Sequence, residues 1–288
     1  MESILVPTDG SRNATVAVDH AVALATRLGA SIRGLYVTHV PSYIGIEAGI
    51  DMDAVRSAFE AEGEAALEAV RSRCKRAGVP VTTETRMGRP ARQIREAATD
   101  AQVDLVVMGT HGRSGVSRLL LGSVTESVLR GVEVPVLVIP SAEAPEPDDY
   151  DRILVATDAS EGSRAATNMA LELAGSLGTE LHGLYVLDDR LSRAEVVERA
   201  LEGEGANELA DLEREAESRG VSFISAIETG LPHESIRDYA ADHDVDFVVM
   251  GSHGRDVIDR AVLGSVSERV VRTASRPVLV VRSAEDAE

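Results

Sequence analysis

The hydrophobic positions of the chain follow the same order of elements twice. In each half, short apolar runs typical of buried strands alternate with longer segments whose apolar residues recur at helical spacing. The first half opens with Ile4-Leu5-Val6 and the second with Ile153-Leu154-Val155, and both continue as β-α-β-α-β-α-β-α-β. Alternating strands and helices need a parallel sheet that is covered on both faces. The pattern therefore predicts an α/β protein of two tandem, doubly wound five-stranded domains.

A segment rich in proline and aspartate separates the two repeats. Its composition is typical of an exposed connector, so we place a linker at residues 142–149, between a first domain at 1–141 and a second at 150–288. The second repeat is shorter by seven residues, because matching positions are 149 apart at Asp9 and Asp158 but 142 apart at Gly88 and Gly230. The difference falls after the second strand of each half, where a loop tolerates shortening.

The fifth strand of each half is short, apolar and last in its repeat. An unpaired edge of this kind invites association with another strand. We therefore expect Val136-Leu137-Val138 to pair with Val278-Leu279-Val280, which makes one chain a pseudo-dimer. Further assembly into a homodimer stays open.

The charge of the chain narrows the classes of partner. The 29 basic and 48 acidic residues give a formal net charge of −19, and Lys75 is the one lysine. Nucleic acid is excluded as a partner because its phosphate backbone needs a basic face. An acidic, lysine-poor surface resembles those of proteins from salt-loving organisms, although an ordinary acidic protein is an alternative.

The chain shows no sign of export or membrane insertion. It has no cleavable apolar segment at its start and no apolar stretch of the roughly 20 residues that a membrane helix needs. The single cysteine, Cys74, excludes an intrachain disulfide. We expect a cytoplasmic protein.

A glycine pattern occurs at matching places in the two halves. Gly109 and Gly112 are followed, after nine residues, by Gly122-Ser123, and the second copy consists of Gly251, Gly254 and Gly264-Ser265. Each copy follows an apolar strand. Glycines there let backbone N–H groups approach a phosphate, and a helix that starts at the last glycine directs its positive end at the same anion. The pattern predicts a phosphate site in each half.

An aspartate follows the first strand of each half. Asp9 and Asp158 lie where open parallel sheets bind ligands, and their carboxylates suit ribose hydroxyls. The alternative is that Asp or the following Ser only caps the next helix. If the first and fourth strands are neighbours, Asp9 and the segment 109–112 line one crevice.

Other polar side chains accompany the glycine pattern. Arg113 and Arg255 suit phosphate oxygens, with a solvent-facing arginine as the alternative. Hydroxyls near the helix start either cap the helix or bind phosphate, two compatible roles. His111 and His253 occupy the same loop position, and a hydrogen bond that orders the loop is favoured over a metal role.

Taken together, these motifs resemble the tandem universal stress proteins, in the ATP-binding subgroup whose motif is G, two residues, G, nine residues, G-S/T. The resemblance covers all but the linker and the acidic tail, and it implies strand order 3-2-1-4-5, domains paired through their fifth strands, and ATP, or ADP or AMP, in the crevice. It implies ligand positions in the first half at Pro7, Thr8, Asp9, Val37, Gly109, Gly112, Arg113, Gly122, Ser123, Val124 and Thr125. The matching positions of the second half are Ala156, Thr157, Asp158, Val186, Gly251, Gly254, Arg255, Gly264, Ser265, Val266 and Ser267.

The second repeat departs from the first within this motif. Ala156 replaces Pro7, and Asp256 and Asp259 stand at the positions of two serines of the first repeat. Added carboxylates oppose a triphosphate unless a cation such as Mg²⁺ bridges them. We expect weaker or more Mg²⁺-dependent binding there; surface acidification with both side chains outward is the alternative.

The leading hypothesis is a nucleotide-binding stress or regulatory protein whose occupancy alters domain arrangement or the binding of an unknown protein partner. The chain lacks a GK[ST] motif and an assignable Ser-His-Asp or Cys-His set, so we assign no catalytic residue and no side-chain metal ligand. We expect recognition rather than turnover. A slow ATPase or nucleotidyl-type catalyst and a structural homo-oligomer with degenerate sites are the alternatives.

Overall fold

The computed structural model describes residues 1–39, 52–100, 102–112, 121–141, 150–190, 195–254 and 263–282. The predicted linker at 142–149 lies outside the described residues. The elements of the first half are β1 (Ser3–Pro7), α1 (Arg12–Leu28), β2 (Ser31–Thr38), α2 (Met52–Ala77), β3 (Val81–Met87), α3 (Pro90–Asp100), β4 (Leu105–Gly109), α4 (Ser123–Gly131) and β5 (Val136–Ile139).

The second half repeats this order. Its elements are β6 (Arg152–Thr157), α5 (Glu161–Leu177), β7 (Glu180–Asp188), α6 (Glu195–Ser218), β8 (Phe223–Gly230), α7 (Pro232–Asp242), β9 (Phe247–Gly251), α8 (Ser265–Thr273) and β10 (Val278–Val281). The predicted alternation of strands and helices is confirmed in both halves.

All ten of these strands belong to one sheet, in the order β3-β2-β1-β4-β5-β10-β9-β6-β7-β8. Each half therefore has the expected order 3-2-1-4-5. The halves join where β5 and β10 pair antiparallel, with Leu137 opposite Leu279, and this confirms the predicted pairing of the fifth strands. Because strands are parallel within each half and antiparallel across the junction, the carboxyl ends of the two sets of strands lie at opposite edges of the sheet.

Helices cover both faces of the sheet. α1, α2, α5 and α6 pack on one face, and α3, α4, α7 and α8 pack on the other. Ile4 and Val6 belong to the first core and Leu5 to the second, since successive strand residues point to opposite faces. Burial on both faces explains the uninterrupted apolar runs of the sequence. No helix of the described segments is long and apolar enough to cross a membrane.

The helices that follow the first strands begin earlier than their apolar pattern indicates. The periodicity predicts starts at Ala14 and Ala165, whereas α1 begins at Arg12 and α5 at Glu161. The extra residues, two in α1 and four in α5, follow a serine cap: in α1 the Ser11 hydroxyl accepts a hydrogen bond from the Ala14 amide at 3.2 Å. At the other end, the predicted glycine stop at Gly29 is confirmed by its left-handed φ of 67°.

Tyr150, the first described residue after the linker, ties the two halves together beside the sheet junction. It is 2% exposed, and its hydroxyl donates to the His20 carbonyl at 3.3 Å and lies 3.1 Å from the Nδ1 of that histidine. The ring packs edge-on against Phe247, with centroids 5.6 Å apart. Arg27 of α1 also donates to the Leu177 carbonyl at the end of α5. Side chains of the first half thus contact the second half directly.

We predict that Tyr150→Phe lowers the free energy of unfolding by about 1 kcal/mol, because it removes one buried hydrogen bond. Tyr150→Ala, which also removes the ring, is expected to cost about 3 kcal/mol or more. Urea unfolding measures both, with Val196→Ala at an 80% exposed position as the silent control. A Tyr150→Ala loss no larger than that of the control would contradict this role.

Candidate functional site

Each half forms a crevice at the carboxyl ends of its first and fourth strands. β1 pairs with β4, and β6 pairs with β9, so the predicted neighbours are adjacent in both halves. After the first strand the chain turns through a left-handed residue, Gly10 at φ 76° or Ala159 at φ 60°. The amide of that residue donates to the preceding threonine hydroxyl at 3.2 Å in both halves. The turn places Asp9 and Asp158 at the mouth of the crevice.

The aspartates contact the glycine loops. A Cβ added to Gly112 would lie 2.4 Å from Asp9 Oδ2, and one added to Gly254 would lie 2.5 Å from Asp158 Oδ2. The other oxygen, Asp9 Oδ1, accepts from the Ser11 amide at 2.9 Å. Helix capping is performed by Ser11 and its counterpart Ser160, so the aspartates are not the N-caps. The structure therefore brings each aspartate and the second glycine of its motif together, as expected from strand adjacency.

The remaining motif glycines stand where the backbone folds back on itself. A Cβ on Gly122 would lie 2.5 Å from the Thr110 carbonyl oxygen, and one on Gly251 would lie 2.7 Å from the Gly162 carbonyl oxygen. The Gly122 amide donates to the Thr110 carbonyl at 2.9 Å, which closes the loop onto the strand end. Glycine is required here by close backbone approach.

Two predicted hydroxyl ligands already have backbone partners. Thr125 Oγ1 donates to the Gly109 carbonyl at 2.8 Å, and Ser267 Oγ donates to the Gly251 carbonyl at 2.8 Å. Both side chains are buried. These bonds hold α4 and α8 against the ends of β4 and β9, which fixes the first turn of each helix beside its loop. The N-caps of these helices are Gly122 and Gly264, so no side chain at that position caps the first-turn amides.

The loop histidines order the loops. His111 Nδ1 lies 3.0 Å from Thr110 Oγ1, and His253 Nδ1 lies 2.8 Å from Ser252 Oγ, which confirms the predicted hydrogen bond. Burial lowers the pKa of His111. Within the described ranges, no group of three or more His, Cys, Asp or Glu side chains is placed to hold a metal ion.

A cavity of about 210 Å³ occupies the crevice of the second half. Ten of the eleven predicted positions line it: Ala156, Thr157, Asp158, Val186, Gly251, Gly254, Gly264, Ser265, Val266 and Ser267. The eleventh, Arg255, lies outside the described residues, as do Asp256 and Asp259 and, in the first half, Arg113, Ser114 and Ser117. The structure thus gathers residues more than 100 positions apart in sequence around one space.

One wall of this cavity consists of residues that the sequence did not predict as part of the site. Leu184 and Leu187 of β7, Leu201 of α6 and Ile236 of α7 line it beside the predicted residues. In sequence these positions look like ordinary apolar residues of strands and amphipathic helices. Since β9 and β7 flank β6, the glycine loop and this wall are two strand spacings, about 10 Å, apart. The cavity is therefore polar toward β9 and largely apolar toward β7.

A charged pair stands at the apolar side. Asp188, at the end of β7, also lines the cavity and pairs with Arg190. The Arg190 side chain donates to the carboxylate and holds the pKa of Asp188 below its ordinary value. The matching position of the first half is His39, which lies 3.2 Å from the Gly88 carbonyl oxygen through Nδ1. The two crevices thus differ in the side chain at this point.

The first-half positions occupy the equivalent places. Pro7 is the last residue of β1 and pairs with Leu35, and Val37 follows on β2. Thr8 and Asp9 lie in the turn, Gly109 is the last residue of β4, Gly112 lies in the loop after it, and Gly122 is the N-cap of α4. Ser123, Val124 and Thr125 form the first turn of α4.

Comparison with known proteins agrees with this architecture. Residues 1–140 and 149–282 each match the Universal stress protein family. A universal stress protein of Mycolicibacterium smegmatis is 31% identical over 288 residues, covering 97% of this chain and 96% of its own length. One of Methanocaldococcus jannaschii is 37% identical over 138 residues, covering 48% of this chain and 81% of its own. The crystal structure of a universal stress protein from Archaeoglobus fulgidus has a TM-score of 0.75 at 27% identity, covering 98% of this chain and 97% of that one.

Two doubly wound α/β domains, joined edge to edge within one chain, define a tandem protein with a crevice in each half. The chain belongs to the universal stress protein family and carries that domain twice.

The lowered pKa of the partly buried His111 predicts a loss of stability in acid. Its pKa is lowered in the folded protein, so below about pH 6.5 the unfolded chain binds a proton that the folded chain resists. The stability associated with the neutral form of His111 is therefore fully present above that pH and is lost as the pH falls. We expect His111→Gln to reduce the decline in the free energy of urea unfolding between pH 7.5 and 5.5. Equal declines in variant and parent would contradict this prediction. Burial also lowers the pKa of His182, so this residue accounts for part of the decline that remains in the variant.

Proposed function

We propose that this protein binds an adenine nucleotide, ATP or the related ADP or AMP, in the crevice of each half. The observation that carries the proposal is the second-half cavity, lined by ten of eleven positions chosen from a nucleotide motif. Its polar and apolar sides lie as far apart as the phosphates and base of a nucleotide require.

Each part of the cavity suits one part of the ligand. Asp158 is placed to accept hydrogen bonds from ribose hydroxyls. The amides of the loop at Gly251–Gly254 and of the first turn of α8 suit phosphate oxygens, because a helix start favours anions. The base packs against Leu184 and Ile236. Arg255 and Mg²⁺ would supply the positive charge that a triphosphate needs.

Recognition, rather than turnover, is the proposed activity, and the fifth strands couple it to the rest of the molecule. The Thr110 amide donates to the Ile139 carbonyl at 2.9 Å, and the Ser252 amide donates to the Val281 carbonyl at 2.8 Å. Each loop is therefore bonded to the strand that joins the halves. A nucleotide that orders a loop would stabilise one arrangement of the halves, and a protein partner would read that arrangement as a stress or regulatory signal.

The two sites are proposed to differ in affinity. Ala156 replaces Pro7, and Asp256 and Asp259 replace serines between Gly254 and Gly264 in the sequence. We infer weaker or more Mg²⁺-dependent binding in the second half, because carboxylates oppose a triphosphate until a cation bridges them.

The test is to measure bound nucleotide and affinity. Protein purified in high salt is denatured, the released nucleotide is identified by chromatography, and ATP with Mg²⁺ is titrated by calorimetry. Two sites of unequal affinity are expected. Folded protein that carries no nucleotide and gives no heat with ATP would overturn the proposal and favour a structural homo-oligomer.

Gly254→Ala provides the sharpest variant. The new Cβ would meet Asp158 Oδ2 at 2.5 Å, so either the loop or the proposed ribose ligand must move. We expect at least a tenfold loss of affinity, about 1.4 kcal/mol, at the second site alone. Gly112→Ala is the matched variant for the first site.

Gly203→Ala serves as the control for this substitution, because its Cβ would meet nothing within 4 Å. ATP titrations of all three variants measure the effect. Unchanged affinity in both loop variants would contradict the assignment of the crevices.

The acidic, lysine-poor composition supports a protein of a salt-loving organism. A cytoplasmic location and a homodimer of such chains are also part of the proposal. With a net charge of −19, self-repulsion destabilises the folded chain at low ionic strength. We predict that the urea midpoint rises between low salt and 1 M KCl, where the Debye length is about 3 Å. A midpoint that does not respond to salt would argue for an ordinary acidic protein.

A further inference from the structure

A second cavity, of about 330 Å³, lies in the first half between α1 and α2. Thr8 and Thr15 contribute hydroxyls to it, Val18, Val70 and Ala66 contribute apolar surface, and Arg73 contributes its guanidinium. It touches the predicted nucleotide crevice only at Thr8. The described residues of the glycine loop after β4, 110–112 and 121–122, are not part of its lining.

The second half has a carboxylate side chain at the place equivalent to this cavity. Gly63 of α2 packs against the ring of Tyr36, and Gly205 of α6 packs against the ring of Tyr185. These two glycines are therefore equivalent positions, and three residues further on Ala66 of the first half corresponds to Glu208 of the second. Thr157 corresponds to Thr8, and its Oγ1 lies 3.2 Å from Glu208 Oε1 and 3.1 Å from Ser163 Oγ. The second half therefore places its own carboxylate beside this threonine.

In the first half both of those partners are missing. Ala66 stands for Glu208, and Ala14 stands for Ser163. Thr8 is 8% exposed and its Oγ1 accepts from the Gly10 amide, but among the described residues its hydroxyl proton has no acceptor.

Arg73 offers a second donor to the same space. Its Nε donates to Asp19 at 2.7 Å and its Nη1 to the Ala69 carbonyl at 3.2 Å, while Nη2 has no partner in the described part of the chain. Two donors thus line the cavity without acceptors. Thr8 is buried, and a buried hydroxyl proton left without an acceptor is costly; the Arg73 side chain is 26% exposed and offers a second donor, so an oxygen acceptor suits this space.

We propose that this cavity binds a short aliphatic carboxylate, whose carboxylate takes the place that Glu208 fills in the second half. The aliphatic body packs on Val18, Val70 and Ala66. The carboxylate accepts from Thr8 and from the Nη2 of Arg73.

The electrostatics of the site favour a weak ligand. Asp19 offsets the charge of Arg73, and Glu62 stands on the same wall, so there is no net attraction for an anion. The second half nevertheless accommodates the carboxylate of Glu208 with Glu215 at the position of Arg73. The first half is less acidic at this point. For so small a ligand we expect a Kd on the order of 1 mM.

The test uses butyrate as the probe and the full chain as the protein. Saturation-transfer NMR and calorimetry measure butyrate binding in high salt, with and without saturating ATP. Butyrate binding is expected to persist with ATP present, because the cavity and the nucleotide crevice are adjacent but separate spaces that share Thr8. Competitive displacement by ATP would overturn the proposal, as would no binding up to about 50 mM, far above the expected Kd. If ATP itself fails to bind, the butyrate result still decides this inference.

Ala66→Glu places a carboxylate in the cavity from within the chain and is expected to weaken butyrate binding at least tenfold. Ala61→Glu adds the same charge at an exposed position of the same helix and is the matched control. Circular dichroism verifies folding. Ala66→Glu protein that binds butyrate as tightly as the parent would contradict the proposal.

Discussion

The contact between an aspartate and a glycine loop is the constraint on which both sites depend. Asp9 follows the first strand and Gly112 follows the fourth, and the carboxylate lies so close to the glycine Cα that no side chain fits between them. That contact requires the first and fourth strands to be neighbours, which the order 3-2-1-4-5 provides. It also requires the loop to approach without a Cβ. The same relation between Asp158 and Gly254 shows that the repeat preserves geometry as well as sequence.

The strands and helices follow from the sequence because each is set by local periodicity and by glycine or serine at its ends. The pairing of β5 with β10 was also predictable, since two short apolar edge strands invite association, whereas its antiparallel direction comes from the structure. The apolar pattern predicts the starts of α1 and α5 too late. The residues between each serine cap and the first apolar position carry no apolar pattern, although they are helical. The apolar wall of the crevice was missed for a different reason: Leu201 and Ile236 face a cavity, but their spacing is that of core residues. The hydroxyl partners of Thr125 and Ser267 depend on loop closure and have no signal in one dimension.

The halves share a framework and differ in what fills it. Thr157 is satisfied by Glu208 and Ser163, whereas Thr8 faces alanines and a cavity. His39 stands where the other crevice has the Asp188 and Arg190 pair. A duplicated domain that keeps its sheet junction is free to change such side chains in one copy, because the junction and the loops do not depend on them. The opposite orientation of the two crevices also places them at opposite ends of the strands.

The central claim, that the glycine loops and adjoining helix starts form nucleotide sites, is tested most directly by following backbone amide resonances during titration with ATP and Mg²⁺. Perturbations are expected at Gly109–Gly112 and at 122–125, and at Gly251–Gly254 and 264–267, with saturation at different ATP concentrations in the two halves. Perturbations that avoid all four segments, in protein whose spectrum shows that it is folded, would contradict the account.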